Sequence, residues 1–204
     1  MNTTPLIRVV DDDESLRAAV LRLLEAAGFE ACGYASTGDF LLNSPRERPG
    51  CVLLDVRLPG PSGLELQAAL PGQGFALPVV FMSGYADVAS SVKAMKAGAV
   101  DFLEKPIQRQ ALFDAIGRAL QLDQARRAVH AETDALRVRF ESLTPREREV
   151  LDRVVGGRLN KQIADELGIA ERTVKAQRAQ LMEKLGAGST AELGALAERF
   201  KRLR

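Results

Sequence analysis

Cysteine is scarce in this chain: Cys32 and Cys51 are the only two among 204 residues. They lack metal-ligand spacing and lie in strand-like contexts, which argues against redox chemistry and for buried free thiols. No apolar run approaches the roughly 20 residues that span a bilayer. The start, MNTTPLIRVVDDDE, has no basic stretch ahead of an apolar one. Neither a membrane contact nor a signal peptide is therefore expected, and the expected localisation is cytoplasmic. Internal repeats and low-complexity tracts are also missing. Aromatic residues amount to 5%, too few for the stacking surface that reads single-stranded RNA.

Charge of one sign is lacking overall but not locally. The net balance is +1, yet residues 143–204 carry 13 Lys+Arg against 9 Asp+Glu, a local balance of +4. The preceding residues hold 15 basic and 18 acidic side chains, a balance of −3, so the two parts are expected to meet different partners.

Short β-rich runs at 6–10, 30–34, 51–54, 79–82 and 100–103 alternate with helical patterns at 14–27, 36–42, 63–70 and 88–97. This alternation predicts an α/β fold, a doubly wound five-stranded parallel sheet covered on both faces. Gly28 and Gly98 sit where a helix C-terminus favours glycine. A helix from about Arg109 to Leu122 runs into QLDQARRAVHAETDALRVRFES, which contains neither Gly nor Pro. That stretch reads as a solvated helical connector, its apolar positions being too irregular for a coiled coil. In LTPRE, Thr144 can cap a new helix, Pro145 suits its first position, and Glu147 completes a capping box. Four helical patterns follow, at 146–155, 160–167, 171–185 and 190–199. The expected organisation is one domain over 1–122, a helical linker over 123–142, and a second, all-α domain over 143–204.

In open parallel sheets, functional groups collect at the carboxyl ends of strands. Here the first strand ends in Asp11-Asp12-Asp13, the third in Asp55, the fourth in Ser83-Gly84, and the fifth leads to Lys105-Pro106. Asp13 and Glu14 can be explained as helix-capping residues; the combination of strand ends cannot. Clustered carboxylates require a raised pKa or a hard cation, and oxygen donors without His or Cys select Mg²⁺. With a lysine and a small hydroxyl beside them, they form a phosphoryl-transfer site in which Asp55 is the nucleophile. A dehalogenase-like phosphatase would need a general acid two positions after Asp55, and Arg57 cannot donate a proton at neutral pH. A flavodoxin-like cofactor domain is disfavoured by acidic groups that would repel a flavin phosphate.

At VVDDDESLR, LLDVRLPGPSGLEL, FMSG and DFLEKP the chain resembles a two-component response regulator receiver domain. The resemblance implies a flavodoxin-like fold with strand order 2-1-3-4-5. It implies that Asp55 accepts phosphate from a sensor histidine kinase. Mg²⁺ is implied on Asp12, Asp55 and the Arg57 carbonyl, with Asp11 supporting it through water. Ser83 and Lys105 would engage the phosphoryl group, Phe102 would be the aromatic switch, and Lys105-Pro106 would be cis. The region near Met95 to Lys105 would become a homodimer face on phosphorylation.

In the second domain, a helix ending at Gly168 and another starting near Glu171 have helix-turn-helix spacing. Placing Val174 inward brings Arg178, Leu181 and Leu185 with it and leaves Arg172, Ala176, Ala179, Gln180 and Glu183 outward, flanked by Thr173 and Lys175. That small, cationic face suits a DNA major groove. LTPREREVL, NKQIADELGI, RTVKAQR and KLGAGSTAEL are similar to the LuxR-type four-helix DNA-binding domain. From it, Lys161 is expected on a phosphate, and the last helix, with Leu193 and Leu196, either in a dimer surface or packed within its own domain. Gln177 departs from the family's histidine, which bears on operator preference. Arg178 is either an ion-pair anchor to Glu147 or Glu149 or a base reader.

Together the parts resemble a FixJ/NarL-type response regulator. The implied partners are a sensor histidine kinase, double-stranded promoter DNA, a second copy of the chain and RNA polymerase. The chain would activate transcription and would not be an enzyme beyond accepting and slowly losing its own phosphate. A constitutive DNA-binding regulator whose receiver acts only as an interaction module is the competing expectation.

Overall fold

The computed structural model describes residues 4–84 and 88–203. The chain divides between Arg127 and Ala128 into two compact units. The first holds five parallel strands, β1 (Leu6–Val10), β2 (Glu30–Tyr34), β3 (Gly50–Asp55), β4 (Val79–Ser83) and β5 (Asp101–Glu104), in the order β2-β1-β3-β4-β5. The sheet and its order are those expected, and each strand lies within one residue of its expected limits.

The three central strands, β1, β3 and β4, form here because nearly all their side chains are apolar and buried on both faces. In β1, Ile7 and Val9 face one core and Val10 the other; in β3, Cys51 and Leu53 alternate with Val52 and Leu54 in the same way. Helices α1 (Glu14–Ala26) and α5 (Arg109–Glu141) cover the first face through Val20, Leu24, Leu112 and Ile116. Helices α2 (Thr37–Asn43), α3 (Gly63–Ala69) and α4 (Val88–Lys96) cover the second through Phe40, Leu66 and Ala94. Each such side chain, when fully buried, contributes about 1.5–3 kcal/mol. Gly28 and Gly98 adopt φ of +84° and +87° after α1 and α4, as their helix-ending positions require.

Two expectations change, for Cys32 and for the connector, and one strand residue, Arg8, is unusual. Cys51 is buried, and burial pushes its thiol pKa up to about 12, but Cys32 is exposed because β2 is an edge strand whose residues alternate outward. Arg8, in the middle of β1, is fully buried, its guanidinium satisfied by Ser44 and by the carbonyls of Leu6, Pro45 and Arg48. The connector is helical but is not solvated throughout: Asp123 is buried in the first unit, and Leu136 and Phe140 are buried in the second. Phe140 stacks on Phe200 with ring centroids 4.2 Å apart.

The second unit contains α6 (Pro145–Val155), α7 (Asn160–Leu167), α8 (Glu171–Leu185) and α9 (Thr190–Lys201). Its core joins Leu136 and Phe140 to Val150, Val154, Ile163, Val174, Leu181, Leu185 and Leu193. The capping box expected of Thr144 and Glu147 is present at the start of α6. Gly168 and Gly186, with φ of +63° and +70°, end α7 and α8.

Candidate functional site

The order of the sheet sets β1, β3, β4 and β5 side by side, so their carboxyl ends share one rim. Asp11 follows β1, Asp55 ends β3, Ser83 ends β4 and Lys105 follows β5. One carboxylate oxygen from each of Asp11, Asp12 and Asp55 lies within 4.8 Å of the others. Asp11 and Asp55 are buried and Asp12 is exposed, which leaves the cluster open on one side. Lys105 Nζ donates to Asp11 Oδ2 at 2.7 Å and to Asp55 Oδ2 at 2.8 Å.

Each group is held by its own chain neighbours. Asp11 Oδ1 accepts the Asp13 amide at 3.0 Å, while the Asp11 carbonyl accepts Arg17 Nη1 at 2.6 Å. Asp13 caps α1 by accepting the Leu16 amide, which is the capping role anticipated for it. Asp55 Oδ1 accepts the Arg57 amide at 3.2 Å, so the loop after β3 turns back over the carboxylate. Gly63 closes that loop, its amide bonded to the Val56 carbonyl at 3.1 Å. A Cβ at Gly63 would sit 2.1 Å from the Asp55 carbonyl oxygen, an approach only glycine permits. The Lys105 amide bonds the Ser83 carbonyl at 2.7 Å, and the Lys105–Pro106 peptide is cis.

Burial pushes the Asp11 carboxyl above its ordinary pKa, and the hydrogen bond and charge of Lys105 only partly offset this. Lys105 is itself desolvated, which would lower its pKa, but its bonds to Asp11 and Asp55 outweigh that and hold it raised and charged. The donor set, three carboxylates with neither His nor Cys, fits a hard divalent cation of the Mg²⁺ type.

The structure thus gathers Asp11, Asp12, Asp55 and Lys105 at one point, with Arg57 joined through its backbone. Ser83 is buried on the next strand end, and Phe102 is half-buried in β5 with its ring 6.3 Å from that of Phe81. Arg17 was missed by sequence reasoning. Its spacing from Asp11 carries no motif, and its partner is a backbone carbonyl.

In the second unit, Val174, Leu181 and Leu185 of α8 are fully buried, and Arg172, Lys175, Ala176, Ala179 and Gln180 are exposed on the other side. Thr173 is half-buried at the edge of that face, and Lys161, in the first turn of α7, is exposed. Arg178 does not anchor to Glu147 or Glu149. Its guanidinium donates to Asn160 Oδ1 at 2.8 Å and Thr190 Oγ1 at 2.6 Å. The two glutamates are taken by Lys184 and Arg146 instead, each at 2.7 Å. Leu193 is fully buried in the core of its own unit and Leu196 packs against that core half-buried, so packing within the unit accounts for Leu193.

Comparison with known proteins gives two family matches, a response regulator receiver domain over residues 7–117 and the bacterial regulatory proteins of the luxR family over residues 141–197. The chain is 40% identical to Nodulation protein W of Bradyrhizobium diazoefficiens over 97% of its own length and 87% of that protein. It is 39% identical to the transcriptional regulatory protein FixJ of the same organism, over 98% of its length and 97% of that protein. Among solved structures it is similar to the response regulator StyR, with a TM-score of 0.87 and 46% identity, covering 96% of this chain and 99% of that one. Full-length FixJ from B. japonicum matches over the whole of both chains with a TM-score of 0.59 and 38% identity.

Proposed function

The chain belongs to the two-component response regulators that join a receiver domain to a LuxR-type DNA-binding domain, and on that premise we propose that Asp55 is its phosphorylation site and DNA binding its phosphorylation-controlled output. The observation that carries this reading is the Lys105 ammonium bridging Asp11 and Asp55 across the strand ends.

A carboxylate oxygen of Asp55 attacks the phosphorus of a phosphohistidine on a sensor kinase, and the imidazole nitrogen leaves. The loop from Arg57 to Gly63 fixes the carboxylate for that attack, because its amide at Arg57 holds Asp55 Oδ1. Lys105 already touches the other oxygen, and it moves onto the phosphoryl oxygens as charge transfers to them. A divalent cation, Mg²⁺ by the donor chemistry, would be held by Asp11, Asp12, Asp55 and the Arg57 carbonyl and would neutralise phosphoryl charge. Ser83 then donates its hydroxyl to the phosphoryl group, and Phe102 turns inward as the β4–β5 side of the sheet adjusts.

The surface that responds is α4. Val88, Val92 and Met95, spaced along one side of this helix, are 74%, 45% and 47% exposed, and they offer an apolar face to a second copy of the chain. Dimerisation brings two α8 helices to DNA, where Arg172, Thr173, Lys175, Ala176, Ala179 and Gln180 face the major groove and Lys161 a phosphate. Activation of transcription, through contact with RNA polymerase, completes the reading. No helix among the described residues is long and apolar enough to cross a membrane.

The test compares Asp55→Asn with the wild type for label uptake from a small phosphodonor, and both for DNA affinity at fixed salt with and without that donor. Uptake confined to the wild type, with a gain in its affinity, is expected. Label retained on Asp55→Asn would overturn the site, and equal wild-type affinity in the two conditions would favour a constitutive regulator.

A further inference from the structure

The helix α5 is gripped well before its end by the start of the strand that carries Asp55. Asp123, whose side chain is 4% exposed, accepts the Gly50 amide on Oδ2 at 2.9 Å. Both of its oxygens also accept Arg127 Nε, at 3.0 and 2.9 Å. The rest of the Arg127 fork reaches the segment between α2 and β3: Nη1 donates to the Glu47 carbonyl at 2.9 Å and Nη2 to the Arg48 carbonyl at 3.3 Å. The Arg48 carbonyl takes a second donor, Arg8 Nη2, at 3.0 Å, and Arg8 Nη2 also reaches the Pro45 carbonyl at 2.7 Å. Gly50, with φ of +143°, packs so closely on β1 that a Cβ there would lie 1.9 Å from the Leu6 carbonyl oxygen. The segment is therefore stitched from below by Arg8 and from the side by Arg127, and it has no slack at Gly50.

An apolar residue at 123 would pack α5 against the sheet while tolerating rotation about the helix axis. A buried Asp123–Arg127 pair bonded to the Gly50 amide and to the Glu47 and Arg48 carbonyls does not tolerate it, because a turn of the helix carries the pair away from those three groups and leaves buried polar atoms unsatisfied. Gly50 is the first residue of β3 and Asp55 the last. One six-residue strand thus presents the phosphorylation site at one end and holds α5 at the other. The helix then continues unbroken to Glu141.

We propose that Asp123 and Arg127 are positioning residues of the switch: they fix the rotational setting of α5 on the receiver, so that the state of Asp55 is expressed through that helix. Without the latch the receiver still takes phosphate, but the helix no longer reports it. This inference rests on the phosphorylation reading above.

The experiment uses the full chain, with a DNA fragment selected from random sequence and a small phosphodonor with Mg²⁺. Asp123→Ala should keep label uptake at Asp55 within twofold of the wild type. It should speed amide exchange over residues 118–130 and cut the phosphorylation-induced gain in DNA affinity at least fivefold. Asp123→Asn, which keeps an acceptor for Gly50, should retain part of the gain. Arg127→Ala acts from the half-exposed side and guards against a misfolded Asp123 variant; it should cut the gain about threefold. A wild-type gain preserved in Asp123→Ala and Arg127→Ala overturns the latch alone. Loss of label uptake in both variants also overturns it, since the pair would then be structural. A wild type with no gain overturns the phosphorylation reading and this inference together.

Discussion

Lys105 and Asp11 form an ion pair 2.7 Å long in which the carboxylate is wholly buried and the ammonium 16% exposed. Burial raises the Asp11 pKa in spite of that partner. A carboxyl whose folded pKa lies above its unfolded value adds stability below the unfolded pKa, and that stability is lost as pH rises through the folded one. The ionised Asp11 carboxylate by itself therefore costs the metal-free receiver stability at neutral pH. Asp11→Asn should raise the melting temperature of the metal-free receiver at pH 7 by a few degrees, with about 1 kcal/mol being worth about 4–8 °C in a domain of roughly 60–100 residues and somewhat less in a larger one. The variant should also show a flatter dependence of stability on acidification than the wild type, and a smaller thermal shift on adding Mg²⁺. Melting curves from pH 4 to 8, with and without Mg²⁺, check this; a metal-free variant that melts below the wild type at pH 7 would count against it.

Gly63 and the Asp55 carbonyl are packed too tightly for any side chain. Gly63→Ala must push the start of α3 away from β3, and the loop over Asp55 with it. Overpacking of this kind costs about 1–3 kcal/mol, and label uptake at Asp55 should fall at least tenfold because the Arg57 amide loses its place. Gly60→Ala is the control for a glycine of the same loop with open space around it, although its φ of +87° makes it mildly strained. Near-normal uptake in Gly63→Ala would show that the loop relaxes without moving Asp55.

Much of this site was legible because four of the five strands, β1, β3, β4 and β5, place a charged or hydroxyl residue on the same rim, and period and turn residues suffice to find strand ends. What escaped was held by backbone. Arg8 looks out of place in an apolar strand until the carbonyls of Pro45 and Arg48 are seen beside it, and no residue type announces a carbonyl. Asp123 and Arg127 have the spacing of an ordinary exposed helix pair, and only the fold brings Gly50 to them. Cys32 has a strand-like context that suggests burial, but its strand lies at the sheet edge, where one face meets solvent. Arg178 does turn inward, as its period requires, but its partners are the neutral acceptors Asn160 and Thr190, which charge pairing alone does not single out.

Glu147 joins the start of α6 to α8, accepting Lys184 at 2.7 Å and the Thr144 amide at 2.8 Å. The bond from Lys184 lowers its pKa, with the Thr144 donors adding to the effect against burial. The stability this gives is present above the unfolded pKa and lost as pH falls through the lowered folded value. Glu147→Gln keeps one acceptor oxygen, which can still take the Thr144 amide, and replaces the other with an NH₂ group while removing the charge. It should destabilise the second unit at pH 7 by about 1 kcal/mol, the lower end for a hydrogen bond to a charged group, since Lys184 is 39% exposed and screened. Denaturant titrations of variant and wild type should converge as pH falls through the lowered folded value, and a difference that stays constant from neutral to acid pH would refute the ionic origin.

Arg178 pins α8 to the first residues of two other helices, α7 through Asn160 and α9 through Thr190. A residue that sets the angle of a recognition helix changes every contact of that helix together, whereas a base reader changes preference at one position of the site. Arg178→Ala should cost about 1.5–3 kcal/mol of stability for its charge-assisted bonds. It should weaken binding by similar factors across unrelated sites, without relaxing the selected sequence. Lys175→Ala is the contrasting variant: its ammonium is exposed and makes a weak 3.3 Å pair to Glu171. If it reaches a phosphate, its loss should lower the salt dependence of log K by about 1 unit. Random-site selection with each variant, followed by affinities at several salt concentrations, separates the two roles; a relaxed base preference at a single position for Arg178→Ala would return that residue to base reading.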